Sequence, residues 1–150
     1  MNDPGRPCDH ELRHDTAEAP LDVDRLLQQC VGSAAIVLRV LDRFAVQLNA
    51  DREAIRAAVS AADAAAVART AHSLKGAAGA VAADRLHAVA ALLETHARSG
   101  ELQAVARELD ALIAEIERCA AYLPAARRAA SAAGSRQVGD CQQRNQRCGS

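Results

Sequence analysis

The chain has 150 residues, half of them apolar, with 18 Lys and Arg against 19 Asp and Glu for a formal net charge of −1. That length accommodates one compact core, and with a single Phe, a single Tyr and no Trp the core must be built from Leu, Val, Ile and Ala, which favours closely packed helices over sheets. Both charge signs are interspersed through the middle of the chain, so no basic face for nucleic acid stands out, and no apolar run approaches a membrane span.

Residues 1–19 are rich in Pro, Asp, Arg and His and have no sustained apolar period, which predicts a disordered tail. The first fifteen residues lack the apolar segment of a secretory signal, so a cytoplasmic location is expected. The five cysteines, Cys8, Cys30, Cys119, Cys141 and Cys148, are then expected as reduced thiols, with Cys30 and Cys119 in apolar helical stretches. After Pro20, the residues Leu21, Val23, Leu26, Leu27 and Cys30 predict a short helix ending near Gly32, and Ser33 offers the next N-cap.

From Ser33 the apolar residues Ile36, Val37, Val40, Leu41, Phe44, Leu48, Ile55 and Val59 follow helical spacing, as one long helix or as two meeting at Asn49 to Asp51. Asp63 is a suitable N-cap for the following helix, whose Val67, Ala71, Leu74 and Ala78 share one stripe at about 100° per residue. A turn at Ala82 to Asp84 leads to a helix with Leu86, Val89, Ala90, Leu93 and Ala97, ended by Ser99 and Gly100. The last helix starts at Glu101, carries Leu102, Val105, Leu109, Leu112, Ile113, Ile116, Cys119 and Leu123, and is expected to close at Pro124. Residues 125–150, biased to Ala, Arg, Gln, Ser and Gly, read as a second disordered tail whose first turn can extend the helix. The expected architecture is all-α: an antiparallel four-helix bundle over residues 20–124 with a short additional N-terminal helix.

The segment from Ala68 to Leu86 places a polar face opposite the apolar stripe. Measured from Val67, the stripe residues fall within about 40°, whereas His72 lies near 140° and faces solvent. Gly76 and Gly79 lie on the histidine's side of the helix, each at a cost of roughly 1 kcal/mol against alanine, and leave a bare surface beside the imidazole. Lys75, one turn on, can lean toward whatever His72 carries and balance its charge.

The run His72-Ser73-Leu74-Lys75-Gly76-Ala77-Ala78-Gly79 resembles the AHxLKG signature of histidine-containing phosphotransfer (HPt) domains. The likeness extends from about Leu21 to Leu123 and includes Phe44, Asp63 and the triplet Leu92-Leu93-Glu94. It implies a phosphorelay intermediate that takes a phosphoryl group on Nε2 of His72 and exchanges it with aspartates of receiver domains. The resemblance further implies that Lys75 supports the phosphoryl group, that Gly76 and Gly79 clear the receiver-docking surface, and that Glu94 hydrogen-bonds the other ring nitrogen and fixes the tautomer. Where the family often has Asn and Gly, eight and ten positions after the histidine, this chain has Ala80 and Ala82, a departure that bears on the helix end and the turn.

The implied partners are receiver domains of response regulators and hybrid histidine kinases, met by a monomer with no nucleic acid and no membrane involved. No intrinsic cofactor is implied, and Mg²⁺ is expected on the receiver. With no Walker-type or glycine-rich nucleotide loop, a carrier without autonomous kinase activity is expected. Two rivals stand beside this reading: an HPt-like docking module that carries no phosphate, and a metal- or redox-responsive regulator using Cys8, His10 and His14 or Cys141 and Cys148. His87 and His96 lie nine residues apart, which is not the spacing of two metal ligands on one helix face, so no metal site is expected.

Overall fold

A computed structural model describes residues 19–147 of the chain, with side-chain surroundings through Arg136. The N-terminal tail expected over residues 1–19 lies outside the described residues except for Ala19. All regular structure among the described residues is helical: α1 Val23–Gln29, α2 Ala34–Ser60, α3 Ala64–Ala80, α4 Asp84–Arg98 and α5 Leu102–Arg147. The first three helices start where the sequence supplies caps. Asp22 accepts from the backbone N–H of Arg25 at 2.9 Å, Ser33 from Ile36 at 3.4 Å and Asp63 from Ala66 at 2.9 Å, each satisfying a donor that the first helical turn leaves unpaired.

α2 is one continuous helix across Asn49 to Asp51, because Leu48, Asp51 and Ile55 keep the buried spacing while Asn49 and Ala50 face water. Helices α2, α3, α4 and α5 pack in a ring, each against its two sequence or closing neighbours, which is the expected antiparallel four-helix bundle. Fully buried Leu41, Leu48, Val67, Leu74, Leu86, Leu93, Leu112 and Ile116 fill the interior. The most extensive pairing joins α3 to α4. Ala71 and Ala78 on α3 and Ala90 and Ala97 on α4 are buried, and such small residues let two helix axes approach closely. That closeness later decides what a side chain of α4 can reach on α3.

α1 lies across one end of the ring and closes it. Leu21, Val23 and Leu26 are buried, the Asp22 N–H donates to the Ala82 carbonyl at 3.2 Å, and Arg25 forks the Asp84 carboxylate, with Nη1 2.9 Å from Oδ2. The turn between α3 and α4 is therefore held from outside. It needs to be, since Ala82 sits in left-handed backbone at φ 56 where a glycine would be unstrained, and its own Cβ is covered.

The C-terminal helix departs from expectation. α5 does not close at Pro124 but continues to Arg147, so residues 125–147 are helical rather than a disordered tail; residues 148–150 lie outside the described set. Pro124 removes the N–H that would bond the Ala120 carbonyl, yet both residues face solvent, where water satisfies the orphaned oxygen. Past the proline the buried stripe resumes with Ala126 and Ala130, and Arg127 pairs with Asp42 of α2 at 2.8 Å. Gly134 completes the contact: a Cβ there would stand 2.7 Å from Ala34 Cβ. Side chains this small carry no hydropathic signal, which is why composition alone reads the segment as a tail.

Ala130→Asp tests this packing. A carboxylate forced into a fully buried position with no partner is expected to lower unfolding free energy by about 2–4 kcal/mol in urea titration, whereas a change within about 0.5 kcal/mol, ordinary for an exposed site, would show that the segment does not pack.

Candidate functional site

His72 leaves α3 on the side away from its buried stripe, and its side chain is 63% exposed. The imidazole nevertheless has one fixed partner, because Nδ1 lies 2.9 Å from Oε1 of Glu94 on α4. Glu94 is itself buried between the helices, with 5% of its side chain exposed. A lone carboxylate so placed would cost several kcal/mol, and two cations compensate it: Lys75 Nζ donates to Oε2 at 2.6 Å, and Arg98 Nη2 reaches Oε1 at 2.6 Å from one turn further along α4.

The hydrogen bond from Lys75, then that from His72 and the charges of Arg98 and Lys75, hold the Glu94 carboxyl below its ordinary range against the opposing effect of burial. An ionised carboxylate can only accept, so Nδ1 is the nitrogen that carries the proton in the neutral ring. Nε2 is left with its lone pair directed outward. An exposed imidazole nitrogen with a fixed tautomer has the chemistry to act as a nucleophile.

The sequence-predicted residues are placed differently from one another. His72, Lys75 and Glu94 come together in one network, with Lys75 on Glu94. Gly76 is open, since a Cβ built there meets nothing within 4 Å. Gly79 is not open in the same way: the His87 ring lies against it, Nδ1 standing 3.4 Å from where a Cβ would be and 3.0 Å from the Lys75 carbonyl. Gly79 thus gives room to a side chain of α4, and the bare surface beside His72 is centred on Gly76. On the other side of His72 a groove is lined by Ala64, Ala65, Ala68, Arg69, Ala97 and Arg98.

Three features escaped the sequence reading. Arg98 follows Glu94 by four residues, a spacing that signals an ion pair on any helix, but nothing local marks that pair as belonging to His72. Asp51 is buried on α2, where Gln47 Nε2 lies 3.0 Å from both its oxygens and 3.2 Å from Ser73 Oγ, the residue after the histidine. Burial pushes the Asp51 carboxyl up, while the bonds from Gln47 and Ser73 pull it back. His87 is the third, its bond to the Lys75 carbonyl being visible only once α4 lies against α3.

Cys119 is buried and its thiol is pushed up to about 12 by that burial, which makes it an inert core residue, and Cys30 is half-buried. Among the described residues no three His, Cys, Asp or Glu side chains gather as metal ligands would. Cys8, His10, His14 and Cys148 lie outside the described residues, and Cys141 beyond the described side chains.

The family model of the Hpt domain matches residues 39–122. Among solved structures, the chain is similar to the crystal structure of histidine-containing phosphotransfer protein B (HptB) from Pseudomonas aeruginosa PAO1, with 28% sequence identity and a TM-score of 0.67 over 74% of this chain and 96% of that one. No curated protein matches.

The Asp51 cluster yields a pH prediction. A carboxyl raised in the folded state binds its proton more tightly there than in the unfolded chain, so its ionised form destabilises the fold above the folded-state value and the penalty vanishes below the unfolded one. Asp51→Asn is therefore expected to be more stable than the parent at pH 7, by about 1 kcal/mol, with the gap closing below about pH 4. Urea unfolding across that range checks it, and a variant less stable at pH 7 than at pH 4 relative to the parent contradicts the sign.

Proposed function

The chain belongs to the Hpt domain family, and on that premise we propose that His72 accepts a phosphoryl group from an aspartyl phosphate of one receiver domain and donates it to the aspartate of another. A histidine phosphotransfer role in a phosphorelay is what the family membership supports. The observation that carries its assignment to His72 is the 2.9 Å contact between Nδ1 and Glu94, on an imidazole whose remaining nitrogen is exposed.

The chemistry asks for positioning more than for catalytic groups. The Nε2 lone pair attacks phosphorus in line, the N–P bond forms as the P–O bond to the aspartate breaks, and the electron pair leaves on the aspartate carboxylate. The ring gains positive charge while keeping its proton on Nδ1, and the Glu94 carboxylate 2.9 Å away stabilises that charge. Transfer onward is the reverse, with a second receiver's aspartate attacking phosphorus and the imidazole leaving as the neutral tautomer. Lys75, beside the same carboxylate, offsets negative charge brought in by the phosphoryl oxygens. The divalent cation belongs to the receiver, and the chain acts as a carrier that neither binds nor hydrolyses ATP. In this reading it works in the cytoplasm as a monomer between hybrid kinases and response regulators; among the described residues no helix is long and apolar enough to cross a membrane.

Two experiments test the reading. Exchange of His72 for Gln is expected to abolish labelling by a phosphorylated receiver while leaving receiver binding in place; phosphate retained on the variant would sink the assignment. Gly76→Leu separates surface from fold. A Cβ at 76 meets nothing within 4 Å and the exposed position replaces a poor helix former, so stability is expected to hold or rise by up to about 1 kcal/mol. Transfer is expected to fall by roughly tenfold or more, because the receiver loses its approach to the imidazole. Unaltered transfer would place the docking surface elsewhere.

A further inference from the structure

A carboxylate bonded to an imidazole has two opposed effects. It fixes which nitrogen carries the proton, and it also favours the doubly protonated ring, which has no lone pair to offer. Glu94 stands in that relation to His72, and the groups around it determine which effect prevails. Oε1 accepts from His72 Nδ1 at 2.9 Å and forms an ion pair with Arg98 Nη2 at 2.6 Å, while Oε2 accepts from Lys75 Nζ at 2.6 Å. One oxygen is thus shared between the ring and a guanidinium. Arg69, on α3 one turn before the histidine, adds another positive charge to the wall of the groove that His72 and Arg98 line. From α2 the nearest acid of this network is Asp51, which stands behind Ser73 with Gln47 on both of its oxygens. The charges that face the ring are therefore one carboxylate against Lys75, Arg98 and Arg69.

We propose that Arg98 is a positioning residue that lets Glu94 orient the His72 ring without drawing a second proton onto it. The inference rests on the phosphotransfer reading of His72 and adds the device that keeps the nucleophile neutral. The guanidinium, 2.6 Å from the oxygen the ring uses, weakens without cancelling the field that favours a second proton on the ring. Lys75 bonds the other oxygen, 2.6 Å from Oε2, so Arg98 is the cation placed on the oxygen that the ring uses. Arg98 reaches the carboxylate from one turn further along the same helix, through Nη2 alone. With 65% of the Arg98 side chain in solvent, its effect is damped by water and salt.

The test compares the full chain with Arg98→Ala and Arg98→Lys by NMR titration of the His72 ring, with His72→Gln identifying its resonances. In Arg98→Ala the pH at which the ring takes its second proton is expected to rise, and in Arg98→Lys, which keeps the charge, to return at least half of the way. An unmoved midpoint in Arg98→Ala overturns the proposal, as does a lysine variant that titrates like the alanine one. The titration needs no receiver, so its outcome is separate from the labelling test of His72 itself. Where a phosphorylated receiver is supplied, the acid limb of the transfer rate in Arg98→Ala is expected to move up in pH by the same amount, and a loss by one common factor at every pH would assign Arg98 a purely structural role.

Discussion

The contact on which the site depends is the bond from the His72 ring to a carboxylate buried between two helices. An exposed imidazole on a helix ordinarily samples both tautomers and several rotamers. Here one nitrogen is tied down from a neighbouring helix, so the reactive nitrogen is defined both chemically and in direction. Glu94 makes that bond where α3 and α4 pack together, and both helices bury small residues, Ala71 and Ala78 on one and Ala90 and Ala97 on the other, which permit a close approach. Larger residues at those positions would carry Glu94 out of reach. The small-residue core and the chemistry at the surface are in this sense one constraint.

Holding an ionised carboxylate in that place requires compensation, and the cations that supply it lie beside the imidazole. Lys75 and Arg98 take one oxygen each, with the ring sharing the second. An unpaired buried acid would destabilise the bundle and raise its own protonation equilibrium; with its cations it remains an acceptor over the physiological range. Asp51 illustrates the contrast. It is nearly as buried and has only neutral partners in Gln47 and Ser73, and its carboxyl is pushed in the opposite direction. Two acids on either side of one helix thus differ because of who faces them.

The remainder of the fold keeps α3 and α4 in register. α1 closes the end of the bundle over the turn at Ala82, and Arg25 bonds the first residue of α4. That turn, like those at Val31 and Ala62, uses a non-glycine residue in left-handed backbone, at about 1 kcal/mol each. The buried packing around Ala82 offsets the strain there. At the same end, beside α1, the extension of α5 past Pro124 seats Ala126 and Ala130 in the interior and Gly134 against Ala34, bracing α2. The face bearing His72 and Gly76 is left uncovered by all of these elements among the described residues.

What the sequence determined by itself was everything encoded within a single helix. The caps at Ser33 and Asp63, the stripe through Val67, Ala71, Leu74 and Ala78, and the outward direction of His72 all follow from local spacing and periodicity, and the glycine at 76 reads as a cleared surface for the same reason. Glu94 came from resemblance to a family, because no period of α4 points to α3. The tertiary structure alone decided that Arg98 shares an oxygen with the imidazole, that His87 occupies the space beside Gly79, that Asp51 is buried behind Ser73, and that the helix survives Pro124. Each of these depends on which face of one helix meets which face of another and how closely. That is set by the summed packing of the whole core, and the alanines and glycine that permit the closest approaches are the residues whose hydropathy says least.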